Sequence, residues 1–182
     1  MDSAGNRSAT RSAARCRRFT PGTENETVEM AGRFTRDSRA VLAAAATEAG
    51  RRGDRRLGTE HLLLGLLHGP DLLPIRALGI NLELARRALD ELDRIALAEI
   101  MVHISGIRFD PLPATRRRLP WTYGAQAVVK RASGLSDCSA QLTPKHLLLA
   151  ILTVERPDLT SSLLDHLQID RALVRARLTI SD

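Results

Sequence analysis

Two short stretches concentrate the side chains that could do chemistry. Leu57 to His68 reads LGTEHLLLGLLH and Leu142 to Thr153 reads LTPKHLLLAILT, so each sets a histidine, His61 or His146, ahead of a leucine run. A pair of histidines invites a metal. Neither, however, has the partner four residues on that an H-x-x-x-H zinc helix uses, and a histidine in the first turn of a buried helix more simply bonds to backbone. Glu60 lies where the positive end of a helix dipole favours a carboxylate, whereas the second copy carries Lys145.

Other chemistry finds no residues. Cys138 beside Asp137 has no adjacent base, Ser136 and Ser139 have no triad spacing, and His68, His103 and His166 are scattered. A phosphate-cradling P-loop needs G-x-x-x-x-G-K-[ST], and neither lysine of the chain, Lys130 or Lys145, follows a glycine, which excludes ATP hydrolysis. The expectation is a protein that is not an enzyme, with no catalytic residues, no cofactor and no metal.

The elements that must position these residues repeat as well. Six of the twelve positions in the two stretches are identical, and the 85-residue offset, too long for a solenoid period, marks one duplicated module. Thr143 followed by Pro144 is an N-cap with proline at the first helical position, and Gly58 is a permissible cap in the other copy. Nearly every later position is apolar, so both motif helices should be central and buried.

Around the first motif, Thr35 is a candidate cap for a helix with Val41, Leu42, Ala45 and Ala49 on one face, ending near Gly53. Ala43 to Ala46 would let a neighbouring helix approach closely. Gly69-Pro70 ends the motif helix, a short helix follows around Leu72 to Leu78, and Asn81 can cap a longer one running towards Ile100. That last helix puts Leu82, Ala85, Leu89, Leu92 and Ala96 on one face and Arg86, Arg87, Asp90, Glu91 and Asp93 on the other, which reads as a solvated surface.

The second module re-enters at Trp121-Thr122, echoing Phe34-Thr35, and closes with Leu167-Gln168-Ile169-Asp170, matching Leu78-Gly79-Ile80-Asn81. Each module is four helices, which gives an all-α chain of eight with essentially no β-sheet. The expected organisation is a disordered Arg-rich tail over 1–33, a first repeat over 34–100, a linker over 101–120 and a second repeat over 121–182. Within the linker, Val102, Ile104 and Ile107 suggest a short extended piece.

The formal charge of +6 resembles a nucleic-acid signal, but residues 1 to 18 alone supply five Arg against one Asp. From Phe34 onward, 21 basic residues face 17 acidic ones, an ordinary helical surface, and Arg116 to Arg118 read as part of a solvated linker. Two cysteines, Cys16 and Cys138, make no disulfide framework, and no apolar run is long enough to span a bilayer. These features point to the cytoplasm, or to an organelle if residues 1–30 are a transit peptide.

Phe34-Thr35, Gly58 to Leu67 and the recurrence at Thr143 to Ala150 together resemble the Clp N-terminal repeat domain, which caps ClpA, ClpB and ClpC unfoldases. The resemblance covers Phe34 to about Leu178. It implies two pseudo-symmetric four-helix repeats that perform no chemistry and bind the unfoldase or protease, adaptors or substrate segments. It also implies that a repeat can receive a phosphorylated arginine, with the motif Glu on the guanidinium and Thr and backbone N–H groups on the phosphate. Lys145 and Pro144 break that pattern in the second repeat, so Thr59 and Glu60 would form such a site in the first repeat alone.

The residues expected at a ligand- or peptide-binding surface are therefore Thr59, Glu60, Phe34, Lys145 and Trp121. The two aromatics also suit anchoring of helix starts in the core. Because the chain carries no P-loop, it is expected to be a stand-alone recognition domain or a fragment of one. Alternative roles are a decoy that sequesters Clp-targeting peptides or natural products, a plastid accessory subunit in the manner of ClpT proteins, and nucleic-acid binding through the Arg-rich tail.

Overall fold

The computed structural model describes residues 33–69, 71–99, 119–136 and 141–180. The expected tail except Arg33, all of the linker except Leu119 and Pro120, Arg116 to Arg118, Cys16, Cys138 and His103 lie outside the described residues. Among the described residues eight helices follow in order: α1 (Arg36–Arg52), α2 (Thr59–His68), α3 (Leu73–Leu78), α4 (Leu82–Glu99), α5 (Tyr123–Leu135), α6 (Pro144–Ile151), α7 (Leu159–His166) and α8 (Arg171–Ile180).

Local chemistry sets the boundaries. The Thr35 hydroxyl accepts the Ser38 N–H at 3.1 Å to start α1, and Gly53, with φ 77°, ends it in a left-handed turn that a side chain would strain. Asn81 accepts the Leu84 N–H at 2.8 Å, and Asp170 accepts those of Ala172 and Leu173 at 2.9 and 3.0 Å. Position 79 of the first repeat and position 168 of the second both take positive φ, 71° and 53°, so the two chains turn alike although one uses Gly and the other Gln.

The two motif helices form the centre. Leu62, Leu63, Leu64, Leu66 and Leu67 are all 3 % exposed or less, and α2 packs against α1, α3, α4, α5, α6 and α7. At the crossing of α1 and α2, a Cβ on Gly65 would lie 2.5 Å from the Val41 carbonyl oxygen and 2.9 Å from the Ala45 methyl. Only glycine admits that approach. Of the small residues at 43–46, Ala45 alone is fully buried at this contact, and Ala43 and Ala46 face outward.

The repeats interlock by exchanging partners. Phe34 pairs with Leu142 and Leu57 with Trp121 in two isolated parallel β-bridges, so the entry to α1 lies beside the entry to α6 and the entry to α2 beside that of α5. Four backbone bonds hold them: Thr35 N–H to Leu142 O at 3.0 Å, Leu142 N–H to Arg33 O at 2.7 Å, Leu57 N–H to Pro120 O at 2.9 Å, and Thr122 N–H to Leu57 O at 2.9 Å. Helix α7 packs on α2 and α4 of the first repeat while α3 packs on α6 and α8 of the second, the relation expected of a pseudo-two-fold.

Part of the polar face of α4 departs from the solvated surface expected of it. Arg86 holds both oxygens of Glu48, at 3.0 and 2.5 Å, and Arg52 reaches Asp90 at 2.9 Å and Asp93 at 2.5 Å. Glu48 is buried on α1, so its charge requires cations from the facing helix, and Arg86 is drawn into that contact while Arg87 and Asp90 stay exposed. Ala96, expected on the core face, is exposed because α4 runs past the core.

Candidate binding site at the start of the first motif helix

The start of α2 is held from three sides. Gly58 is its N-cap, and its N–H donates to His61 Nδ1 at 3.0 Å. On the opposite side of the ring, Nε2 lies 2.9 Å from Asp54 Oδ2, and Arg52 Nε is 3.3 Å from the same oxygen. The partners assign a neutral ring with its proton on Nε2. His61 thus takes the place that Glu or Gln occupies in a capping box.

Thr59 is buried, and its hydroxyl donates to Asp158 Oδ1 at 2.6 Å across 99 residues of sequence. Asp158 is itself the N-cap of α7 and accepts the Thr160 N–H at 2.9 Å. A Cβ on Gly124, in the first turn of α5, would lie 3.0 Å from Asp158 Oδ2 and 3.3 Å from the Thr59 methyl. The starts of α2, α5 and α7 therefore converge. Beside them lies a shallow cleft of about 300 Å³ lined by Gly124, Val128, Arg131, Thr153, Glu155 and Asp158, among others.

Glu60 folds back over this junction. Its side chain is 17 % exposed, Oε1 is 3.1 Å from His61 Nδ1, and Oε2 is 3.4 Å from the Thr59 hydroxyl. The carboxylate occupies the space that a Cβ on Gly58 would fill. Burial opposes its charge, but a His61 ring protonated at Nδ1 and the backbone N–H of Glu60 favour it, and the balance holds its carboxyl below the ordinary value.

The second copy is built differently. His146 Nδ1 lies 3.2 Å from the Thr143 N and 2.9 Å from its hydroxyl, so this histidine also caps its helix. Asp71 accepts the Leu73 N–H at 2.9 Å, as Asp158 does for Thr160, but the residue matching Thr59 is Pro144, which has no hydroxyl to give it. Lys145 is half-buried where Glu60 stands in the first copy. Phe34, 3 % exposed, and Lys145 belong to this second junction, whereas Trp121, half-buried against the core, belongs to the first with Thr59 and Glu60.

Three residues of the junction were not anticipated: Asp54, Gly124 and Asp158. Asp158 ahead of Leu159-Thr160 is readable as a helix cap, but nothing local shows that it meets Thr59. Among the described residues no group of three His, Cys, Asp or Glu could hold a metal, and no helix is long and apolar enough to cross a membrane.

Residues 33–101 match the family model described as Clp repeat (R) N-terminal domain. Over those residues the chain carries a Clp repeat. It is 41% identical over 66 residues to the negative regulator of genetic competence ClpC/MecB of Bacillus subtilis (strain 168), a match covering 35% of this chain and 8% of that protein. The chain thus spans a small fraction of that relative's length.

Its fold is also similar to the crystal structure of the N-terminal domain of the caseinolytic protease associated chaperone ClpD from Arabidopsis thaliana. That likeness has a TM-score of 0.58 at 21% identity, covering 82% of this chain and 94% of the other. A structure from a malarial protein secretion system is similar with a TM-score of 0.57 at 17% identity, covering 82% of this chain and 95% of that one. These two likenesses carry the similarity of fold beyond residue 101 into the second repeat.

Proposed function

We propose that this Clp N-terminal domain is a non-enzymatic recognition module that binds an unfoldase, an adaptor or a substrate segment, and that it engages a guanidinium through Glu60. The observation that carries this is the Glu60 carboxylate, kept ionised at the junction of α2, α5 and α7 with Asp158 and a cleft beside it. A carboxylate is the natural partner for the planar fork of an arginine.

A phosphoryl group on that arginine fits less well. Thr59 already gives its proton to Asp158, and the Glu60 carboxylate covers the start of α2, so an oxyanion would meet two negative charges. Trp121, half-buried at the same junction, would flank the bound segment, whereas Phe34, 3 % exposed, would not reach one.

Calorimetry with a short arginine-containing peptide, alone and phosphorylated on arginine, tests the reading. Glu60→Lys should weaken binding about a hundredfold, since it replaces an attractive charge with a repulsive one. Lys145→Ala should change it little. Equal binding by wild type and Glu60→Lys would remove Glu60 from the site. Capture of Clp components from lysate by wild type, and not by Glu60→Lys, would connect the site to its partner.

A further inference from the structure

His61 Nδ1 stands between two claimants. It is 3.0 Å from the Gly58 nitrogen and 3.1 Å from Glu60 Oε1. A ring nitrogen has one in-plane position, filled either by a lone pair or by a proton. The Gly58 N–H needs the lone pair; the Glu60 carboxylate needs the proton. Both cannot be served at once.

We propose that His61 sets the charge that Glu60 offers to a ligand: neutral, the ring caps α2 through Gly58 and leaves the carboxylate available, and protonated at Nδ1, it releases Gly58 and pairs with Glu60 instead. This rests on the reading of Glu60 as the guanidinium partner and assigns that site its regulation. His61 is a positioning residue and touches no ligand itself.

The surroundings support the exchange. Nε2 donates to Asp54 in either state, and Asp54 is joined to Arg52 at the end of α1, which also holds Asp90 and Asp93 of α4. On its own helix the ring faces Glu60, and the Thr59 hydroxyl stands between Glu60 and Asp158 of α7. Each ring nitrogen therefore has a carboxylate beside it, which offsets the cost of charging a side chain only 1 % exposed. Histidine is the side chain whose charge changes most readily near neutrality.

The second repeat sets a different neighbour beside its histidine. His146 Nδ1 meets the nitrogen and hydroxyl of Thr143, and the residue that would compete for it is Lys145. A proton on His146 Nδ1 would face a cation, not a carboxylate, at the position matching Glu60.

Two measurements on the full chain test the proposal. The first follows the Gly58 amide and the His61 ring nitrogens by NMR from about pH 8 to about pH 5. The amide should lose its hydrogen-bonded shift in step with the ring. An amide that stays put while the ring protonates, or a ring that never does, overturns the proposal, and neither result depends on a ligand.

The second measures the affinity of N-acetyl-arginine amide at the two ends of that range. Wild type should weaken on the order of tenfold at the acid end. His61→Gln should bind equally at both, because a glutamine can accept from Gly58 and donate to Asp54 but takes up no proton. His146→Gln should keep the wild-type dependence. Loss of affinity in His61→Gln at acid pH as large as in wild type would sink the idea. Absence of binding at every pH would instead remove the guanidinium reading, and the amide titration alone would then decide the exchange at His61.

Discussion

The two repeats share a backbone plan and anchor their outer helices by opposite means. In the first, Glu48 of α1 is buried and gathers Arg86 of α4, Arg51 at 3.2 Å and His68 at 3.3 Å. In the second, the corresponding position is Leu135, which is 50% exposed. Arg175, the counterpart of Arg86, turns to the Leu152 carbonyl at 2.8 Å, and Arg171 and Arg131 reach the carbonyls of Val154 and Thr153 at 2.5 and 3.3 Å. One repeat supplies a carboxylate; the other lets the backbone carbonyls of the turn that follows α6 serve as acceptors. A duplicated scaffold can thus keep its arginine and change what the arginine holds.

Glu48→Gln should separate the two solutions most clearly. Removing one member of a buried ion pair leaves its partners uncompensated and costs about 3–5 kcal/mol in dry sites. Arg51 is 45% exposed and Arg86 19%, so water recovers part of this and about 2–3 kcal/mol is expected here, measured by urea unfolding. Leu135→Gln should stay within about 0.5 kcal/mol. Burial opposes the Glu48 charge, but the bonds from Arg86, His68 and Arg51 hold its carboxyl below its ordinary 4.5. The unfolded chain then binds the proton first. The stabilisation is complete above that value and is lost as pH falls below it. Wild type should lose stability on acidification through this window, and Glu48→Gln should have a flatter acid limb.

The crossings of α1 with α2 and α5 with α6 offer a second comparison. Gly65 has the Val41 carbonyl where its Cβ would be, while the matching Ala150 is buried with its methyl accommodated. Gly65→Ala should cost about 2–3 kcal/mol through overpacking against backbone, despite the better helix propensity of alanine. Ala150→Gly should cost about 1 kcal/mol. If thermal unfolding shows Gly65→Ala to be neutral, the first crossing is looser than its geometry indicates.

Much of this architecture was legible in the sequence because it rests on local signals. Caps at Thr35, Asn81, Thr122, Thr143 and Asp170, and the leucine runs at 62–67 and 147–152, specify helices and their buried faces without any knowledge of neighbours. Even the histidines read correctly as backbone-bonded, since a ring in a first turn has few other partners. What stayed hidden depends on contacts between distant elements. Glu48 sits in an alanine-rich helix and resembles any surface glutamate until Arg86, 38 residues on, is placed against it. Asp158 meets Thr59 only because the repeats exchange partners, and no periodicity encodes that exchange.

The smallest difference is the most diagnostic of how the repeats lock together. Thr35 and Thr122 are equivalent N-caps, accepting the N–H of Ser38 at 3.1 Å and of Ala125 at 3.2 Å. Thr122 does nothing further with the first turn. Thr35 also donates to the Ser38 hydroxyl at 3.0 Å, and that hydroxyl, fully buried, donates to Leu142 O at 2.6 Å, across to the second repeat. Thr122→Ala should cost about 1 kcal/mol and Thr35→Ala about 1.5 kcal/mol, the excess coming from a hydroxyl left with an incomplete chain. In a Ser38→Ala background the excess should vanish, making Thr35→Ala as mild as Thr122→Ala, because the coupling runs through that one side chain. An excess that survives the loss of Ser38 would place it in the Phe34–Leu142 bridge instead.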